Sequence, residues 1–264
     1  MTDMKQADKV PSHMDGDAGT ITGYSSEGME QAGSVLNPFG KLLKIITAPS
    51  EAAASIARKP DVLLPIGLLL VTPILPILTN FQAYKDTLVT TLAMNPALQG
   101  QSAEELQSVA NISALTGLAV APVTVIIAWL IGALVLFGIV KMFKGECQYK
   151  QILSLSGYTT VFGLLGGMLT ALVSRFSGAA YAQTNLTSLA TLLPNLQIGF
   201  LSGVAGSIEV FGIWALVATW IGLSVIAGLD RKKSAIIVGS LFVLQLLFVG
   251  VVTQLGAAAS ALGG

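Results

Sequence analysis

Charged residues are scarce in this chain of 264 residues, making up only 11% of it, against about 25% in ordinary soluble domains. Apolar residues make up 53%, and they are gathered into long runs instead of being spread in amphipathic periods. Each long run approaches the roughly 20 apolar residues that a helix needs to cross a bilayer. The composition therefore excludes a soluble globular domain and predicts a polytopic, all-α integral membrane protein.

Cysteine and histidine are also nearly absent, with one residue of each, Cys147 and His13. A single cysteine excludes a disulfide within the chain, and the sequence has no metal-ligand spacing or glycine-rich phosphate loop. No nucleophile, histidine and acid set can be assembled. We therefore expect no catalytic residue, cofactor or metal, no nucleic-acid partner, and a protein that is not an enzyme.

The clearest topological signal is a hairpin near the carboxyl terminus. Apolar residues 213–229 and 235–252 flank the charged residues 230–233, which include Arg231, Lys232 and Lys233. A turn that is short and basic lies on the cytoplasmic face of a membrane. Counting backwards from this turn gives every other span its direction.

Five spans are predicted, forming a helical bundle over residues 61–256. Their approximate ranges are 62–79, 119–140, 152–174, 210–229 and 234–253. Residues 1–37 read as an acidic disordered tail, 38–60 as interfacial helices and 257–264 as a short tail. Residues 80–113 read as a polar loop, with a helical turn or two over Ser102–Val109 left open. Residues 176–208 read as an uncharged loop, with an interfacial helix around Leu186–Leu193 or a re-entrant segment left open. Prolines in the first span predict a kink there: Pro65, Pro73 and Pro76.

The basic residues are distributed unevenly across these spans. With the amino terminus in the cytoplasm, only Lys85 and Arg175 of the 14 lie outside, which agrees with the positive-inside preference. An odd number of spans then places the carboxyl terminus outside. The residues expected to determine the topology lie in two turns: Lys141, Lys144, Lys150, Arg231, Lys232 and Lys233.

Residues 38–59 suggest two short helices before the first span. The first has apolar residues at i, i+3, i+4 and i+7, with two lysines on its other side, a pattern typical of helices in the headgroup region. These membrane-surface residues are Phe39, Lys41, Leu42, Leu43, Lys44 and Ile46. Thr47 and Pro49 suit the start of the second helix. The alternative is that both helices form a packed cap on the bundle.

Small residues recur every fourth position in the third predicted span, at Thr159, Gly163, Gly167 and Ala171. Such a stripe lets another helix backbone approach closely. It predicts helix packing within the bundle, or else a dimer interface.

A resemblance to a known family rests on motifs in a fixed order. They include Thr47-Ala-Pro49, Pro60, Pro65, Gly157-Tyr158-Thr159, Trp214, Gly222 and Lys232-Lys233-x-Ala235. In this order the chain resembles, over residues 40–255, the prokaryotic branch of the Yip family, named for interacting with Ypt/Rab small GTPases. The family often has a proline shortly after the tyrosine, where this chain has Val161 and Phe162. The resemblance implies five spans and a cytoplasmic amino terminus in a bacterial inner membrane.

These features favour membrane organisation, a trafficking-like role, or a scaffold that acts through helix contacts and its cytoplasmic surface. The lipid bilayer is the expected partner, together with another membrane protein or a second copy of the chain. One alternative is a small-molecule or ion permease, suggested by Pro73 and Pro76 and the uncharged outer loop. Another is an accessory subunit of a larger membrane complex.

Overall fold

The computed structural model describes residues 35–177, 187–193 and 195–262, and the acidic tail predicted for residues 1–37 lies almost wholly outside them. The all-α class is confirmed, since the described residues form helices and no β-strand. The helices are α1 Pro38–Thr47, α2 Pro49–Arg58, α3 Leu63–Thr79, α4 Phe81–Ala93, α5 Ala103–Met142, α6 Tyr149–Ser177, α7 Phe200–Ser207, α8 Val210–Ala227 and α9 Arg231–Leu262, with 3-10 turns at Pro96–Leu98 and Leu189–Leu192.

The long apolar helices match a polytopic membrane protein. Four of them, α5, α6, α8 and α9, are long and apolar enough to cross a bilayer. The pair α3 and α4 passes the same test together but is bent by 85° at Asn80, which makes up to five spans. The five predicted spans overlap α3, α5, α6, α8 and α9, with ends that differ by up to two residues at α3 and α8.

Three segments predicted as loops or tails contain helix instead. In residues 176–208 the described part has a 3-10 turn at Leu189–Leu192, where a helix was left open, and α7 at Phe200–Ser207. Residues 80–113 contain α4 and the start of α5, where the Ser102 and Glu105 side chains form a reciprocal capping box. This box satisfies amide groups at the helix start, so α5 extends over 40 residues, about 60 Å. Residues 257–262 of the predicted short tail are helical as well, because α9 continues to Leu262. The loop was predicted from its charges, which do not prevent a helix from extending beyond the membrane.

The sharp bend of the first predicted span lies beyond its prolines. Helix α3 is continuous through Pro73 and Pro76, and the bend follows at Asn80. The Asn80 amide Nδ2 donates to Ser174 Oγ at 3.0 Å, and both side chains are buried. This bond ties the bend to the far end of α6.

Helix α6 is the centre of the bundle, in contact with α3, α5, α8 and both amino-terminal helices. Half of the residues in its apolar 18-residue stretch are buried, against 17–28% in the corresponding stretches of the other three long helices. Glycines permit the close contacts: a Cβ on Gly157 would lie 2.5 Å from Pro65 Cβ, and one on Gly167 would lie 3.0 Å from Pro76 Cγ. These pairs show that α3 runs parallel to α6.

Two turns and the amino-terminal helices meet at one end of the bundle. The Glu146 amide in the α5–α6 turn donates to Ala227 O at 2.9 Å, and Gln151 Nε2 on α6 donates to Ala57 O at 2.7 Å. We call this the basic end, because it carries ten of the lysines and arginines in the described residues. They are Lys41, Lys44, Arg58, Lys59, Lys141, Lys144, Lys150, Arg231, Lys232 and Lys233.

Candidate functional site

A buried polar cluster lies at the basic end, where the chain passes from α2 to α3. The Asp61 carboxylate accepts hydrogen bonds from Lys41 Nζ and from the Tyr158 hydroxyl, the latter at 2.6 Å. Lys41 Nζ also donates to Lys59 O at 2.5 Å. Lys41 is only 1% exposed and Tyr158 is fully buried. We call Lys41, Asp61 and Tyr158 the polar triad.

The position of Lys41 corrects the expectation that it faces lipid headgroups. Lys41 and Ile45 form the buried face of α1, whereas Phe39 and Leu43 are 68% and 66% exposed. A buried ammonium needs a paired charge and further hydrogen bonds, and Asp61 and Lys59 supply them here. The helical period placed Lys41 opposite the apolar stripe correctly, but that face turns towards the protein.

Sequence reasoning missed Asp61, although a signal for it was present. It follows Pro60 directly and precedes the apolar run of α3. An ionisable residue at the edge of a membrane span usually has a partner. The partners lie 20 and 97 residues away in sequence, so no local pattern links them.

The triad attaches residues 35–60, which we call the cap, to the spans. Around it, Trp214 Nε1 on α8 donates to Ile46 O at 3.3 Å, and the Leu36 amide donates to Ser55 Oγ at 2.9 Å within the cap. Apolar burial completes the attachment through Ile45, Ala52, Ala53 and Ile56, all fully buried. Lys44 and Glu51 pair at 2.7 Å but are largely exposed, so that pair contributes little. The amino-terminal helices are therefore packed on the bundle.

Several residues that carried the family resemblance meet where the cap contacts the spans. Pro65 lies against Gly157, Tyr158 belongs to the triad, and Trp214 bonds the end of α1. A Cβ on Gly222 would lie 2.5 Å from Leu155 Cδ1, so this glycine lets α8 approach α6. Pro49 stands in the first turn of α2, but Thr47 Oγ1 donates back to Leu43 O at 3.1 Å instead of capping α2.

The small-residue stripe of α6 lies along α3. Gly163 and Gly167 face Thr72 and Pro76, at 3.8 and 3.0 Å from a Cβ built on each glycine. Ala171 is fully buried, and Thr159 Oγ1 donates to Ser156 O at 2.9 Å within α6. At its two glycines, therefore, the stripe packs against α3 of the same chain.

The remaining reactive group at the basic end is Cys147, in the turn between α5 and α6. Burial raises the pKa of its thiol, and the nearby charge of Lys141 only partly opposes this. Across the described residues, no group of three or more His, Cys, Asp or Glu side chains has a metal-binding arrangement.

The helices and the docked cap define a polytopic α-helical membrane protein with a basic end. The Yip1 domain family matches residues 43–253, and the chain belongs to this family. A relative from Bacillus subtilis (strain 168), "Membrane protein YknW", is 32% identical over 220 residues, which cover 82% of this chain and 93% of the relative. No solved structure matches the chain.

Proposed function

We propose that this protein is a non-enzymatic scaffold that organises other components of a bacterial cytoplasmic membrane. In this proposal the basic end and the amino terminus face the cytoplasm. The observation that carries it is the cap, which is fixed to the spans by the ion pair between buried Lys41 and half-buried Asp61 rather than left as a loose extension. A fixed cap presents a defined surface to a partner, which is what a scaffold requires.

The cap also has a face suited to lipid. Phe39 and Leu43 stand one helical turn apart and are both exposed. We propose that these two side chains insert at the headgroup boundary, with Leu42 and Ile46 at their edge and Lys44 towards the lipid phosphates. The bilayer is then the first partner, and a membrane protein or a second copy of the chain is the second.

Site-specific photocrosslinking in cells tests the scaffold. Lys59→p-benzoylphenylalanine places the probe on an exposed position at the basic end, and Met94→p-benzoylphenylalanine provides the control, 75% exposed beyond α4. We expect the probe at residue 59 to capture a defined protein, identified by mass spectrometry. The probe at residue 94 should not capture that protein.

Two results would count against the scaffold. One is a lack of any protein adduct at residue 59 beyond those found at residue 94. The other is solute flux by the purified chain in proteoliposomes that is lost in Pro76→Ala, since this would identify a permease.

A further inference from the structure

An open apolar groove lies between α8 and α9, the two helices of the carboxyl-terminal hairpin. Its volume is about 190 Å³, and its lining includes Leu216, Trp220 and Phe242. A second, more open groove of about 460 Å³ lies beside the first and is formed by α9 residues alone, among them Ile236, Ser240 and Val243. The two grooves share Ala235 and Gly239. Together they form a double groove that straddles the small residues of α9.

The floor of this double groove is open. A Cβ built on Gly239 would meet no heavy atom within 4 Å, and Ala235 is exposed as well. Helix α9 is also the least buried of the four long apolar helices, with 17% of its apolar 18-residue stretch buried. Among the described residues, α7 and α8 are the helices that pack on α9, and α7 contacts it near Gly250 and Thr253, well away from Gly239.

Two cations stand at the head of the double groove. Arg231 and Lys232 precede Ala235 and Ile236 by four residues, so they lie on the same face of α9. Both are exposed, and no carboxylate of the described residues forms an ion pair with them. Lys233 differs, because its Nζ lies 3.8 Å from Asp230 Oδ2.

Trp220 joins the cationic head to the apolar groove. Its Nε1 donates to Arg231 O at 2.9 Å, which holds the half-buried ring against the first turn of α9. Tryptophan is enriched at the boundary between headgroups and acyl chains. The order along this face is therefore exposed cations, then tryptophan, then an apolar groove.

We propose that this double groove binds an anionic phospholipid of the surrounding bilayer. The lipid phosphate contacts Arg231 and Lys232, and its two acyl chains lie on either side of Gly239. Basic pockets between membrane helices bind acidic headgroups in this way. The apolar lining requires acyl chains, so the ligand is a lipid and not free phosphate. The inference does not depend on the proposed scaffold role.

Native mass spectrometry of the full chain in detergent tests this site. The probes are phosphatidylglycerol and phosphatidylcholine with the same acyl chains. Arg231→Gln/Lys232→Gln removes the cationic head, and Lys141→Gln/Lys144→Gln is its control, with the same charge change at the same end. Gly239→Leu fills the groove, and Gly132→Leu is its control on α5, where a Cβ also meets nothing within 4 Å.

The wild-type chain should retain phosphatidylglycerol in preference to phosphatidylcholine. Arg231→Gln/Lys232→Gln should lower this preference roughly thirtyfold, and Gly239→Leu should reduce retention of both lipids, while the two controls behave as wild type. The proposal is overturned if the charge control lowers the preference equally, or if Gly239→Leu retains both lipids. It is also overturned if Gly239→Leu converts a dimer to a monomer, because a second copy then occupies the groove.

Discussion

Lys41 and Asp61 form an ion pair in which each charge compensates the cost of burying the other. Removing one partner of a buried ion pair leaves the other charge uncompensated, at a cost of about 3 kcal/mol or more. We expect Asp61→Asn to lower the free energy of unfolding by about this amount, measured by titration with SDS in mixed micelles. Tyr158→Phe should cost less, because it removes one hydrogen bond to a carboxylate that remains paired.

A double-mutant cycle separates this pairing from general damage to the cap. Lys41→Met/Asp61→Asn should lose less stability than the sum of the two single variants, since no unpaired charge remains. The difference should be about 1 kcal/mol or more. If the two losses simply add, Lys41 and Asp61 do not stabilise the fold through each other.

The thiol of Cys147 gives a prediction about pH. Burial raises its pKa, so the neutral thiol persists to higher pH than in an unfolded chain, and alkylation requires the thiolate. The rate of maleimide labelling of the folded protein should therefore rise at higher pH than in the SDS-unfolded chain. Lys141→Gln removes a charge that lowers this pKa, so it should shift the profile further upward. Equal profiles for the folded and unfolded chains would contradict the burial argument.

Single residues were the hardest feature to predict from sequence. The period of α1 separates Lys41 from Phe39 and Leu43, but it does not tell which face meets the protein. That depends on Asp61 and Tyr158, which reach Lys41 only once α3 and α6 lie side by side. The buried lysine therefore follows from tertiary structure and not from the local pattern.

At the scale of elements, the contact between α3 and α6 involves glycines that differ in how much space a larger side chain would have. A Cβ on Gly157 would lie 2.5 Å from Pro65 Cβ, whereas one on Gly163 would approach Thr72 no closer than 3.8 Å. Gly157→Ala should therefore separate the helices and cost about 1–3 kcal/mol. Gly163→Ala, on the same helix, should be neutral or slightly stabilising, since alanine favours helix.

Thermal unfolding of both glycine variants in the same detergent gives the comparison. Equal effects at the two positions would mean that helix propensity, and not the approach of Pro65, governs this contact.

The helices were predicted well where hydrophobicity determined them and poorly elsewhere. The cores of α5, α6, α8 and α9 are long apolar runs, whose length and composition suffice to identify them. Helix α4 and the first turns of α5 carry Lys85, Asp86, Glu104 and Glu105. Hydropathy predicts a loop there, with no more than a helical turn or two before the second span. Their helical form depends on the Ser102 capping box and on packing between α4 and α5, and hydropathy measures neither.

For the whole molecule, charge asymmetry is the property that connects fold to orientation. The basic end holds ten basic and four acidic residues, the latter being Glu51, Asp61, Glu146 and Asp230. The rest of the described chain has two basic residues, Lys85 and Arg175, and four acidic ones, which are Asp86, Glu104, Glu105 and Glu209. Because basic segments are retained in the cytoplasm during insertion, the asymmetry favours one orientation for every helix together.

Cysteine accessibility in intact cells tests this orientation. In a Cys147→Ala background, Lys144→Cys reports on the basic end and Gln101→Cys on the exposed segment before α5. A membrane-impermeant maleimide should label Gln101→Cys in intact cells, and Lys144→Cys only after the membrane is permeabilised. Labelling of Lys144→Cys in intact cells would show that the basic end faces outward. The cap would then be extracytoplasmic and could not serve a cytoplasmic partner, whereas the lipid groove of α8 and α9 would remain testable in either leaflet.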